Sequence, residues 1–132
     1  GEGSEASLTA SVELLRAIPE AGVEDVRELL AQRADVNHRD ENGWTAMIAA
    51  VFWGRRECME ALLRHQQLNP NTVRLRMDGT NRNGLSPLHV AARKGRHDLM
   101  PLLMSSRCNP DLPDNEGWTP LHHAAFNGMA EG

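Results

Sequence analysis

The sequence predicts an all-α solenoid of helix-turn-helix units with β-turn fingers, about three and a half repeats long. Three observations lead there. A turn-and-helix motif occurs three times, over 40–50, 81–92 and 114–125, and the second and third copies set Gly84 and Gly117 33 residues apart. An amphipathic stretch follows the first two copies and also precedes them all, at Asp25–Leu30, Met59–Leu63 and Leu99–Leu103. Each of these stretches runs into a related tail: Ala34-Asp35-Val36-Asn37, Leu68-Asn69-Pro70-Asn71 and Cys108-Asn109-Pro110-Asp111. A fixed period of this length is the mark of stacked repeats, each burying its apolar face on its neighbours.

The motif has a local physical logic. Asp or Asn followed by Gly makes a turn in which Gly takes positive φ without penalty. Thr45, Ser86 and Thr119 then supply a helix N-cap, and Pro87 and Pro120 stand at the first helical position, where no N–H is lost. Paired alanines allow close helix packing. Thr45-Ala46-Met47-Ile48 keeps the cap but lacks the proline and histidine of the other two copies.

Residues 1–10, opening GEGSEAS, read as a polar leader or tag remnant, and 11–132 as the repeat domain. A capping repeat spans 11–39, with helices near Val12–Ile18 and Val23–Ala31 that carry charge on a solvated outer face. Repeat two spans 40–80, repeat three 81–113, and a truncated repeat four 114–132. Repeat four stops near Met129, where a second helix is expected to begin, so the natural protein is expected to continue. Leu121, Ala124 and Ala125 are then left uncovered, in a chain expected to be a monomer in solution that stacks in crystals through that end.

Three irregularities stand out. Gly43 and Gly84 are 41 residues apart, eight beyond the period. Placing the excess mostly after Asn71 makes Thr72–Thr80, with its alternating apolar and basic residues and its Asp-Gly turn signal, an extended finger. Arg33, Gln67 and Arg107 stand where a left-handed residue is expected after the second helix, and Pro101 is tolerable only within a first helical turn.

The segments Ser86–Arg96 and Thr119–Gly128, reading SPLHVAARKGR and TPLHHAAFNG, resemble the ankyrin-repeat family, and the resemblance extends over roughly residues 11–132. It implies an ankyrin-repeat solenoid that binds another protein or peptide through its finger tips and the inner face of its first helices. Carried over position by position, the partner-binding set is Trp44, Phe52, Trp53, Arg82, Leu85, Arg93, Lys94, Trp118 and Phe126. All three Trp and both Phe of the chain fall in it, and there is no Tyr. The alternatives stay open: local packing for the aromatics, a passive scaffold positioning a catalytic, channel or signalling domain absent from this chain, and histone-tail reading by an aromatic cage. Against the cage stand Arg93 and Lys94, which would repel a methylated lysine. The resemblance also makes His89 and His122 ties between turns.

Charge and cysteines bound the function. Arg74, Arg76, Arg82, Arg93, Lys94, Arg96 and Arg107 face only Asp78 and Asp98 within 67–107, in a chain whose net charge is -4. That points to an acidic partner and away from nucleic acid. Cys58 and Cys108 have no metal-ligand or redox spacing and read as buried thiols in a reducing, intracellular compartment, cytoplasmic or nuclear. Adjacent His122 and His123 diverge on a helix and make no metal pair. No apolar run spans a bilayer. No catalytic constellation, cofactor motif or metal site is identifiable, so no enzymatic activity is expected.

Overall fold

The computed structural model describes residues 2–20, 22–106 and 108–131, with side chains over 8–126. Its helices are α1 (Glu2–Glu20), α2 (Val23–Ala31), α3 (Ala46–Phe52), α4 (Arg56–Leu68), α5 (Pro87–Lys94), α6 (Met100–Ser105) and α7 (Pro120–Glu131). Among the described residues there is no strand. First helices α1, α3, α5 and α7 stack in sequence, and α2, α4 and α6 pack behind their own partners. This is the all-α solenoid expected, with three helix pairs and a fourth first helix.

The caps act as the motif predicts. Thr45 and Ser86 hold extended backbone and accept from the N–H groups of Ile48 and His89. Pro87 opens α5, and Pro101 falls in the first turn of α6, where a missing donor costs nothing. Helix α1 begins at Glu2, well before the predicted Val12, and Ala10 is buried; the stretch set aside as a leader is helical. The core runs through the stack as Leu14, Ile18, Val26, Met47, Ile48, Met59, Leu62, Leu88, Leu99 and Leu103, all essentially inaccessible. Ala49, Ala50, Ala91 and Ala92 are buried between the first helices, where larger side chains would hold the helices apart.

Three ladders tie the repeats together. In the fingers, Arg82 N–H donates to the Asn42 carbonyl and Asn115 N–H to that of Asn83, both at 3.1 Å. In the tails, Arg76 N–H donates to Asn37 Oδ1 at 2.9 Å and Asn109 N–H to Asp78 Oδ1 at 2.7 Å. Behind the first helices, Arg55 Nη2 donates to the Pro19 carbonyl at 2.6 Å and Arg96 Nη2 to the Phe52 carbonyl at 2.8 Å. Arg55 and Arg96 occupy the same place in successive repeats. Each neutralises the carbonyl end of the preceding first helix, where the helix dipole is negative.

The tail ladder sets a register that differs from the one read from the letters. Arg76 pairs as Asn109 does, so Leu75–Asp78, and not Leu68–Asn71, is the tail of repeat two. The extra residues therefore all precede Leu75, partly as an added turn of α4 and partly in the segment between its end and Leu75, and they do not lengthen the finger. Asn69 Nδ2 donates to the His65 carbonyl, Thr72 and Val73 N–H return to the Asn69 carbonyl, and Leu75 N–H donates to Gln66 Oε1. Val73, Leu75 and Met77 pack on the core. The insert is folded onto the body because its alternate apolar side chains find a surface there.

Of the three residues expected in the left-handed region, Arg33 occupies it, at φ 66. Gln67 lies within α4, whose extra turn removes the need for a left-handed stop, and Arg107 lies outside the described residues.

Candidate functional site

The fingers and first helices build one face. Each finger is locked by its leading Asp or Asn: Asp40 Oδ1 accepts from Asn42 and Trp44 N–H, Asn81 Oδ1 from Asn83 and Leu85, and Asp114 Oδ1 from Glu116 and Trp118. The residue after each turn glycine is thereby fixed, as Trp44, Leu85 and Trp118. Nine residues past each glycine stand Phe52 and Arg93, at the ends of α3 and α5, and Phe126, midway along α7; Trp53 and Lys94 follow the first two. The stack thus places a basic pair between two aromatic groups.

The first group is contiguous. Trp44 and Phe52 meet edge to face with centroids 4.8 Å apart, and Phe52 and Trp53 at 5.2 Å. Lys94 Nζ sits 4.7 Å from the Phe52 ring centre, a cation–π contact across the repeat boundary. Trp44 and Phe52 are half-buried against the core, whereas Trp53 is 51% exposed. In the second group, Trp118 and Phe126 lie 5.9 Å apart and both are exposed. Arg82, Arg93 and Lys94 are exposed. Leu85 departs from the expected set: it is 7% accessible and its aliphatic side chain belongs to the core.

The histidines serve the fold. His89 is completely buried; its Nδ1 accepts from Ser86 N–H and lies 2.8 Å from Ser86 Oγ, while Nε2 lies 3.0 Å from the Trp118 carbonyl of the next repeat. Burial pushes its pKa below the ordinary histidine value, so the neutral ring with Nε2–H bridges the two repeats. His123 Nε2 lies 2.9 Å from Asp114 Oδ2. Burial alone would raise the Asp114 pKa, but hydrogen bonds from His123, Trp118 and Glu116 outweigh it and hold the carboxyl below its ordinary value.

The cysteines are free and buried; burial raises both thiols, Cys108 to about 12. Neither is a nucleophile at neutral pH. Among the described residues, no group of His, Cys, Asp and Glu could hold a metal ion, and no helix is long and apolar enough to cross a membrane.

Sequence reasoning missed a second surface, a groove of about 870 Å³ between repeats one and two on the side of the second helices. Its signal was dispersed over α2, α4 and the insert, which only the fold brings together.

Comparison with known proteins agrees with this architecture. A profile of ankyrin repeats in three copies matches residues 68–132, and one of ankyrin repeats in many copies matches 14–63. The human transient receptor potential cation channel subfamily A member 1 is 29% identical over 112 residues, covering 85% of this chain and 10% of the channel. Inversin of Gallus gallus is 32% identical over 96 residues, covering 72% of this chain and 8% of that protein. The chain thus spans about a tenth of the length of these relatives.

Proposed function

Because the chain belongs to the ankyrin-repeat family, we propose that it is a protein-binding module whose partner, a protein or acidic peptide, docks on the face formed by the fingers and first helices. The observation that carries this reading is the contiguous Trp44–Phe52–Trp53 group with Lys94 over its central ring. Trp53 is exposed, aromatic and backed by half-buried rings, which is the setting of an interface anchor. Arg82, Arg93 and Lys94 supply charge for an acidic partner; Arg96 does not, since it is committed to the Phe52 carbonyl. Trp118 and Phe126 extend the same face into repeat four. Acting as a recognition surface, the module needs no catalytic group.

Burying one large apolar side chain contributes about 1.5–3 kcal/mol, against roughly 0–1 kcal/mol for an exposed charge pair. The aromatics therefore dominate affinity, and the basic residues set orientation and association rate. The test captures partners on the intact chain and measures their kinetics. Trp53→Ala weakens binding at least about tenfold through faster dissociation, while Arg93→Glu slows association and flattens its salt dependence. Partners bound equally well by both variants would place the site elsewhere.

A second reading is a spacer within a longer protein. It draws on the small share of each relative that the chain covers, one relative being a cation channel. Under that reading, the same two substitutions leave every captured partner in place.

A further inference from the structure

The groove between repeats one and two exists because of the insert. From the end of α4 the chain turns at Asn69, and Thr72, Val73 and Arg74 form one wall. Asn37 Nδ2 then donates to the Arg74 carbonyl, and Asn37 Oδ1 accepts from Arg76 N–H, so a single side chain seals the end of the groove. The opposite wall is the last turn of α2 and the tail that follows it. The floor is apolar: Leu30, Ala34, Val36 and Ala61 are each at most 6% accessible. On its lip Leu68 is 68% exposed.

The rim is basic. Arg27, Arg33, Arg64 and Arg74 line it, with Asp35 as the one carboxylate. Arg27 is paired with Glu24 at 2.9 Å, and Asp35 Oδ1 is occupied by Asn37 N–H. Among the described residues no carboxylate pairs with Arg64 or Arg74. A basic rim over an apolar floor calls for a ligand carrying carboxylates on either side of an apolar group. The volume lies within the range of sites that enclose a small ligand or a short peptide.

We propose that this groove is a second docking site, which takes an extended acidic segment of a partner protein with its carboxylates on Arg64 and Arg74 and an apolar side chain on the Leu30–Val36–Ala61 floor. It is independent of the aromatic face, being built from the second helices and the insert.

The test titrates the intact, uniformly ¹⁵N-labelled chain with a short synthetic peptide alternating Asp or Glu with Leu. A companion peptide carries Asn and Gln in place of the acids. The expected result is saturable amide shifts over 27–37 and 61–74 with the acidic peptide and none with its neutral companion. Joint Arg64→Glu and Arg74→Glu substitution weakens binding about tenfold or more, since each reversal replaces attraction by repulsion. Both residues are exposed, so the variant folds, and Trp53→Ala binds the peptide as the parent does. Absence of saturable shifts in the groove overturns the proposal, as does equal binding of the neutral peptide. Displacement by inorganic phosphate alone would reduce the groove to an anion site. Concentration-dependent self-association abolished by the same double substitution would assign it to a second copy of the chain. Either result also overturns the proposal, and neither bears on the aromatic face.

Discussion

Repeats three and four carry nearly the same letters in different surroundings. Ser86-Pro87-Leu88-His89 and Thr119-Pro120-Leu121-His122 both form a cap in which the hydroxyl accepts from the histidine N–H and the ring Nδ1 accepts from the capping residue. There the likeness stops. His89 is buried and reaches the Trp118 carbonyl, whereas His122 is exposed; Leu88 is 1% accessible and Leu121 72%. Gly84 is pressed by Asn115, and Gly117 has open space around it. The motif therefore makes its own local structure, and a following repeat adds burial and a second set of hydrogen bonds. In a solenoid these two contributions are separable, since stability is approximately a sum of repeat and interface terms.

The largest effect should come from the turn glycines. Both have positive φ, 79 for Gly84 and 84 for Gly117. A Cβ on Gly84 would stand 2.7 Å from the Asn115 backbone nitrogen, which cannot give way as a side chain would. Gly84→Ala then incurs the left-handed cost of about 1–2 kcal/mol and loses finger bonds, each worth about 0.5–1.5 kcal/mol. The expected total is about 3–4 kcal/mol. Gly117→Ala should incur the first term alone. Urea denaturation of both variants decides it, and equal losses would mean that the stacked finger contributes nothing.

The histidines give the next contrast. His89→Ala removes a buried ring and its bridge, at an expected cost of about 2–3 kcal/mol. His122→Ala loses a solvated cap contact, about 0.5 kcal/mol. Acid sharpens the comparison. Because the folded His89 pKa is lowered by burial, the unfolded chain takes up the proton first, and stability is lost as pH falls below about 6.5, the unfolded value. His65 is lowered for the same reason and leaves a residual slope in His89→Ala. Asp114 acts in a separate window: its pKa is also lowered, so its contribution is present above the ordinary carboxylate pKa and lost as pH falls through the depressed folded value. A pH slope just below about 6.5 that is unchanged in His89→Ala would remove His89 as its source.

What the letters disclosed follows the same division. Caps, turn glycines, the helix-opening proline and the buried alanines are local and were legible. The register of the insert was not. Leu68-Asn69-Pro70-Asn71 imitates Cys108-Asn109-Pro110-Asp111 letter for letter in character, yet Asn37 pairs with Arg76, and only contact between repeats decides between them. The sign of the central charge was readable, but not that Arg96 is committed to the Phe52 carbonyl of the preceding repeat. The positions of the aromatic residues after the turn glycines and along the first helices were legible, but not that Leu85, at the equivalent place, is buried. The groove was invisible because its arginines lie on three segments.

The smallest effect calibrates the rest. Arg33 already holds φ 66 with a side chain in place, so it carries the local cost that Gly117→Ala would introduce. Arg33→Gly relieves that cost but also removes the side chain and its contacts, and it enlarges the unfolded ensemble. Comparing Arg33→Gly with Arg33→Ala cancels the side-chain loss, because both variants lack the guanidinium. Glycine should then be the more stable of the two by about 1 kcal/mol, read as a shift in urea midpoint at unchanged slope. This difference should match the loss in Gly117→Ala with opposite sign, since a Cβ on Gly117 meets open space and only the left-handed cost remains. Subtracting it from the Gly84→Ala loss leaves the part due to stacking. If Arg33→Ala proves as stable as Arg33→Gly, the left-handed cost in this chain is negligible, and the whole Gly84→Ala loss belongs to the contact with Asn115.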